Sequence, residues 1–275
     1  MTSASDEYSD GEHSFDRLTT FIELECNFAT SHYSDSYLKR RFASRMRRRG
    51  VTGYAEYLEL LEDDPEEQQA LLDALSINVT GFFRNPEVWE GIRSVLRTLS
   101  EEQESITIWS AGCADGREPY SLAMLAMDDP RIDDSKIGIT ATDINESALA
   151  DAKRAVYQES RTVDVDEQLR FLSNYVRYVE RSGDTFSIRD DVTDKLVFEH
   201  HDLISGKPKT GFDLVLCRNL FIYIDGEFKV PVLRTVKDSL RPGGYMVIGK
   251  AETVPQELRD EFTILDAELR IYQRE

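Results

Sequence analysis

The sequence predicts an α/β protein, a Rossmann-like, doubly wound, mostly parallel sheet preceded by a small N-terminal all-helical domain. Three observations carry this. From about Glu87 onward, apolar runs at 106–111, 137–142, 195–200, 212–217 and 244–249 alternate with helical segments, the pattern of βαβ units with helices on both sheet faces. The first run stops at a glycine turn that opens a helix. From Phe15 to about Leu61 the apolar residues instead recur at helical spacing.

Taken in order, residues 1–14 are polar, acidic and without periodicity, and are expected to be a disordered tail rather than a signal peptide. A helical domain and linker is expected over 15–85. Within it, DSYLKRRFASRMRRRG (35–50) sets Leu38, Phe42 and Met46 at four-residue steps, with Asp35 or Ser36 to cap the start and Gly50 to end it. VTGYAEYLELL (51–61) reads as another helix, EDDPEEQQ (62–69) as an acidic connector, and a helix is expected to resume at Ala70. INVTGFFRNPEVW (77–89) joins the two parts, with Pro86 suited to a helix first turn. It is either a connector plugged by Phe82 and Phe83 or a loop over a ligand with Arg84 aimed into the site. The sheet domain then fills 86–275. Within it, 157–194 is an irregular excursion that could form a small β-subdomain, and 262–273 reads as a terminal hairpin.

The stretch ITIWSAGCADGREPY (106–120) is the most informative. A β-branched run ends at Gly112, Gly116 and Glu118 follow, and SLAMLAM continues as a helix. Strand, glycine turn and helix let backbone approach a nucleotide-like ligand. The second run ends in Asp143, 27 positions after Gly116, where such folds place an acid for ribose hydroxyls. The G-x-G-x-x-G spacing of dinucleotide binders is absent, which favours a phosphate-free adenosine ligand such as S-adenosylmethionine over an ordinary strand–turn–helix.

Composition bounds the partners. The 275 residues carry 52 acidic and 33 basic side chains, a net charge of −19, and 40% are hydrophobic. Only nine of the basic residues are lysine. An acidic, lysine-poor chain resembles proteins of salt-rich cytoplasms, and its charge repels nucleic acid at long range. Three well-separated cysteines and no C-x-x-C argue against a disulfide framework or a zinc site, and no metal is expected. No apolar run approaches the ~20 residues of a membrane helix, so a cytoplasmic protein is expected.

Two later segments fall at the carboxyl edge of the predicted sheet. FDLVLCRNLFIYID (212–225) reads as a fully apolar strand ending in Cys217, Arg218 and Asn219, with Tyr223 beyond; such a tyrosine packs as often as it acts. Cys217 reads as a buried thiol, since no base is near it in sequence. LRPGGYMVIGKAE (240–252) is a turn feeding a strand with a polar end at Glu252, weighed as fold grammar. Against the chain's acidic trend, Arg40, Arg41, Arg45, Arg47, Arg48 and Arg49 crowd one helix. A charge run is usually a solvated face; here its sign points to an acidic partner.

INVTGFFRNP, WSAGCADGREPYSLAM, ATDINESALADAKRAVY, FDLVLCRNLFIYID and LRPGGYMVIGKAE, in this order over residues 15–270, resemble the chemotaxis receptor methyltransferases, the CheR family, and KRRFASRMRRRG resembles that family's N-terminal docking helix. The resemblance implies a class I S-adenosylmethionine-dependent methyltransferase. It would form glutamate methyl esters on the cytoplasmic helical bundle of methyl-accepting chemoreceptors, with S-adenosylhomocysteine as product. A monomer without membrane insertion is the separate expectation. It implies cofactor contacts from Asn78, Thr80, Arg84, Gly112, Glu118, Asp143, Asp202, Leu203, Arg218 and Asn219. Arg84 and Tyr223 are implied as catalytic, and Arg40, Arg41, Arg45, Arg47 and Arg48 as the receptor-docking set. The chain departs from the family where Asp202 replaces an asparagine and where GKAE, with Lys250 and Ala251, replaces Gly-His-Ser-Glu. The competing expectations are a methyltransferase for another substrate and a non-catalytic cofactor-binding regulator.

Overall fold

The computed structural model describes residues 4–26, 28–75, 80–160 and 163–275, with side chains from residue 13 onward. It divides into two compact units, one of Met1–Ile77 with Tyr223–Gly226 and one of Asn78–Ile222 with Glu227–Glu275.

The first unit is helical: α1 (Ala4–Glu25), α2 (Asp35–Arg49), α3 (Tyr54–Asp63) and α4 (Pro65–Leu75). Two expectations are corrected. Residues 4–14 are helical rather than a disordered tail. Phe15, Leu18 and Ile22 form a buried stripe that anchors α1; a helix so anchored propagates readily, and acids suit its positively polarised amino end. The acidic connector is likewise a helix start. Pro65 takes the first position of α4, Glu66 and Glu67 occupy its first turn, and the Asp64 carboxylate accepts the Glu67 N–H at 3.0 Å.

The helices close on Leu18, Ile22, Tyr37, Leu38, Phe42, Tyr57, Leu61, Leu71 and Leu75. α2 stops at Gly50, whose φ of 75° is left-handed. The segment Tyr223–Gly226 joins this unit through a Tyr33–Ile224 antiparallel bridge, and the Tyr223 ring lies 5.2 Å from that of Tyr37.

The second unit opens with α5 (Pro86–Glu102), β1 (Ile106–Ala111), α6 (Arg117–Asp128), β2 (Ile137–Asp143) and α7 (Glu146–Arg154). β3 (Val156–Gln158), α8 (Val165–Leu169), β4 (Val179–Ser182), β5 (Thr185–Ile188) and α9 (Asp190–Thr193) follow. The chain ends with β6 (Leu196–His200), β7 (Phe212–Cys217), α10 (Gly226–Ser239), β8 (Leu240–Ile248), β9 (Phe262–Asp266) and β10 (Ile271–Arg274). The excursion after α7 forms a separate antiparallel sheet of order β3-β5-β4.

The main sheet has the order β6-β2-β1-β7-β8-β10-β9. Its first five strands are parallel, and the terminal hairpin adds antiparallel edges. Ile106 and Ile108, Ile137 and Ile139, Leu214 and Leu216, and Tyr245 and Val247 share a core with Trp89, Ile92 and Leu96 of α5 and Leu122 and Leu125 of α6. From β1 the chain winds outward to β2 and β6, whereas β7 starts the opposite half. The switch point therefore lies beyond the carboxyl ends of β1 and β7, where such sheets bind ligands.

Two details differ from expectation. β7 is not wholly apolar: Asp213 is buried within it, accepting the Thr107 N–H at 2.8 Å and an Arg241 N–H at 2.8 Å. β8 begins at Leu240, because the Pro-Gly-Gly turn is absorbed as an irregularity in its register with β7.

The helical unit's buried charge is Glu67, whose side chain is 1% exposed. It accepts from Arg45 Nε at 3.0 Å and Nη2 at 2.5 Å, and from the Tyr57 hydroxyl at 2.7 Å. Burial pushes this carboxyl up, but hydrogen bonds from Arg45 and Tyr57 and the charges of Arg45 and Arg49 outweigh it and hold the carboxyl below its usual value. A depressed folded value means stability that is present above the unfolded carboxyl's pKa of ~4.3 and lost as pH falls through the folded one. Urea unfolding of the full chain followed by far-UV circular dichroism should show Glu67→Ala destabilising the protein by about 3–5 kcal/mol near neutral pH, the cost of stranding Arg45. The variant should also lose part of the acid-side fall in stability.

Candidate functional site

The turn after β1 begins at Gly112, with φ 76°. Its N–H and that of Cys113 donate to the Thr142 carbonyl at 2.8 and 2.9 Å, sewing the turn to the end of β2. At Gly112 the place of a Cβ has no atom within 4 Å, so backbone here faces open space. Gly116 is fixed by crowding as well as conformation: φ is 88°, and a Cβ would stand 2.9 Å from the Ala152 Cβ.

Asp143 ends β2, and its carboxylate accepts the Ala114 N–H at 2.8 Å and the Asn145 N–H at 2.9 Å. Burial raises its pKa against the pull of those backbone donors. The structure thus brings Gly112 and Asp143 together at one edge of the sheet.

Glu118, in the first turn of α6, accepts the Ser110 hydroxyl at 3.0 Å and Arg218 Nη1 at 3.2 Å. The Arg218 side chain is 1% exposed. Its Nη2 donates to the Arg84 carbonyl at 2.8 Å, and its guanidinium lies 5.6 Å from the Trp89 ring centre. Trp89 Nε1 donates to the same Arg84 carbonyl at 3.0 Å.

Arg84 thus sits in a firmly held loop. Phe83 and Asn85 beside it take left-handed φ of 47° and 59°. Phe82 and Phe83 are buried: Phe82 meets Tyr157 edge to face at 4.9 Å, and Phe83 stacks on Phe171 at 4.7 Å. The buried phenylalanines agree with the plugged-connector reading. Thr80, half-buried, contributes its carbonyl to Arg117 at 3.3 Å; Asn78 lies outside the described residues.

Asp202 follows β6. Its carboxylate accepts the Ile204 N–H at 2.8 Å and the Ser205 hydroxyl, a turn that needs acceptors and so suits an acid. Leu203 is buried beside it in sequence.

Glu252, read only as fold grammar, is the anchor of the neighbouring edge. It is 3% exposed and accepts N–H groups from Asn219 at 3.1 Å, Phe221 at 2.7 Å and Gly249 at 2.5 Å. Burial raises its pKa while those donors lower it. Asn219 is held at φ 62°, and a Cβ on Gly249 would stand 2.7 Å from the Asn219 nitrogen. By contrast Lys250 and Ala251 are exposed, and Lys250 pairs with Glu87. The departure from Gly-His-Ser-Glu therefore falls on surface positions, and the glycine and glutamate that the fold uses are present.

Tyr223 folds with the helical unit, packed on Tyr37. Arg40, Arg47 and Arg48 are exposed on α2, and Arg41 lies half-buried over the Tyr37 ring at 5.0 Å. Arg45 is corrected: only 13% exposed and committed to Glu67, it is part of the core and not of a docking face. Cys113 and Cys217 are buried and their thiols are pushed well above the usual range, by burial and then by nearby carboxylates, which makes them poor nucleophiles.

Replacing Glu252 with glutamine puts an amide N–H against backbone donors. It should lower the melting temperature and weaken S-adenosylhomocysteine binding by calorimetry roughly tenfold or more, the scale of a buried unsatisfied donor. Lys250→His with Ala251→Ser should leave the melting temperature unchanged and the affinity within about twofold, as surface substitutions do.

Comparisons with known proteins give the family. Residues 13–76 match the CheR methyltransferase all-alpha domain, and residues 78–271 match the CheR methyltransferase SAM-binding domain. The chain is 31% identical over 239 residues to the chemotaxis protein methyltransferase of Listeria monocytogenes, covering 86% of this chain and 88% of that protein. It is 33% identical over 263 residues to an uncharacterized 104.1 kDa protein of Rhodobacter capsulatus, covering 94% of this chain but only 27% of that longer one. A SAM-dependent methyltransferase from Thiobacillus denitrificans, solved with S-adenosyl-L-homocysteine, aligns with a TM-score of 0.35 at 17% identity over 63% of this chain and 50% of that one. The open backbone at Gly112 and the acid at Asp143 fit an adenosyl group. With a class I methyltransferase sheet, S-adenosyl-L-methionine as its cofactor and an all-α N-terminal domain, the chain belongs to the CheR methyltransferase family.

Proposed function

We propose that the protein methylates glutamate side chains on the cytoplasmic helical bundle of chemoreceptors, as part of chemotactic adaptation. The observation that carries this reading is the exposed arginine set of α2, Arg40, Arg47 and Arg48, in a chain of net charge −19. Such a local cation patch is complementary to an acidic helical surface and steers it electrostatically. The relative from Listeria, a chemotaxis protein methyltransferase by name, supports the same reading.

Bound S-adenosylmethionine supplies an electrophilic methyl on a sulfonium. A glutamate with an ordinary pKa of ~4.3 is ionised near neutral pH, so the acceptor needs no general base. Opposite charges are lost as carboxylate and sulfonium become ester and thioether, so the environment must exclude water rather than stabilise new charge. Phe82, Phe83 and Trp89, all buried, make the interior under Arg84 apolar.

In this reading Thr80, Gly112, Glu118, Asp143, Asp202, Leu203, Arg218 and Asn219, with Asn78, hold the cofactor. Arg84 orients one oxygen of the glutamate. A tight bidentate clamp would stabilise the ionised ground state and slow transfer, so its task is alignment, which is worth up to ~7–11 kcal/mol in well-oriented reactions. Tyr223 shapes the methyl path.

Incubation with labelled cofactor and receptor-bearing membranes tests the activity: base-labile methyl ester on a receptor is the expected product, and label elsewhere or none overturns the assignment. In the same assay Arg84→Ala should cut turnover by about two orders of magnitude while changing cofactor affinity by less than about threefold, the signature of lost positioning. Charge reversal at Arg47 and Arg48 should raise the KM for receptor several-fold and leave cofactor binding by calorimetry unchanged.

A further inference from the structure

Arg117 breaks a local rule. It is the first residue of α6, at the positively polarised end of a helix, where a cation is disfavoured. It is also largely buried, with its side chain 14% exposed. Its contacts account for the placement. One Nη donates to the Thr80 carbonyl at 3.3 Å, and Nε stands 3.6 Å from a carboxylate oxygen of Asp115. The guanidinium carbon lies 5.1 Å from the Tyr157 ring centre and 5.9 Å from that of Phe82. The Tyr157 hydroxyl donates to the Asp115 carbonyl at 2.7 Å. One planar cation therefore touches three segments distant in sequence: the 80–84 loop, the glycine turn at 112–116 and β3 of the small sheet.

We propose that Arg117 is a positioning residue of the transfer site, fastening the 80–84 loop to the glycine turn with Tyr157 as its backing. The inference rests on the reading of 80–84 as the cover of the cofactor. An arginine suits the place, because one nitrogen donates to the Thr80 carbonyl while another stands near the Asp115 carboxylate and the delocalised cation lies close to both rings; a lysine ammonium is a compact point charge that cannot span these groups. The small sheet is thereby part of the cofactor machinery, since its Tyr157 holds both the cation and the turn.

The test combines S-adenosylhomocysteine titration by calorimetry with limited trypsin digestion, the cut after Arg84 being followed by mass spectrometry. In the unmodified protein S-adenosylhomocysteine should slow that cut; if it does not, the cover reading fails. Arg117→Gln should speed the cut in the absence of ligand and weaken S-adenosylhomocysteine binding roughly tenfold, the scale of one charge-assisted hydrogen bond. Arg117→Lys, which keeps the charge and serves if the glutamine variant does not fold, should not restore either property. Protection in the unmodified protein together with normal cutting and binding in both variants overturns the inference while leaving the cover reading intact. So does a lowered melting temperature with unchanged ligand affinity well below it, the outcome of a merely structural role.

Discussion

A guanidinium cannot shed its proton inside a protein, and Arg218 is buried at the switch point of the sheet. Every segment around it is constrained by the need to receive that charge. α6 must present Glu118, the 80–85 loop must turn the Arg84 carbonyl inward, and α5 must lay Trp89 against the cation. Left-handed backbone at Phe83 and Asn85 is the strain through which the loop complies. On the opposite flank Glu252 plays the complementary part, a buried anion satisfied by backbone N–H groups. One cation and one anion, neither exposed, set the shape of the edge on which the chemistry depends.

The electrostatics of the chain work at two scales. Its overall negative charge is a property of the surface, screened by salt over about 8–10 Å at moderate ionic strength. The site's own charges are half-buried or buried and less screened. Carboxylates at Asp115, Glu118 and Asp143 surround the glycine turn, and their field adds to burial in suppressing ionisation of Cys113.

Much of the fold was legible because its signals are local. β1, β2 and β7 are continuous apolar runs bounded by turn residues, and their strands match the runs to within a residue. Gly112, Asp143, Arg218 and Asn219 lie at or just past strand ends and Glu118 in the first turn of α6, places that the runs and the glycine turn make readable. What was not legible depends on distant partners. Glu252 looks like the tail of a strand until the backbone of 219–221 folds onto it. Arg117 looks like a solvated charge until Thr80 and Tyr157 arrive. The misplacement of Arg45 was avoidable: it lies seven residues after Leu38 and three after Phe42, the spacing of the apolar stripe itself. The acidic run at 62–69 was misjudged because acids mark helix starts as well as loops, and Pro65 fits both.

The four residues Tyr223–Gly226 belong with the helical bundle although they are encoded deep within the sheet portion of the chain. The polypeptide therefore passes from one unit to the other three times rather than once. A cut near residue 77 does not yield two self-sufficient pieces: the bundle forfeits the Ile224 bridge and the Tyr223 ring, and the sheet fragment retains an excursion stripped of its seat. Exchange of the N-terminal part between homologues must carry a matching graft at 223–226. Threading of this kind ties the inheritance of one half to that of the other, and favours transfer of the whole assembly into longer proteins over shuffling of its parts.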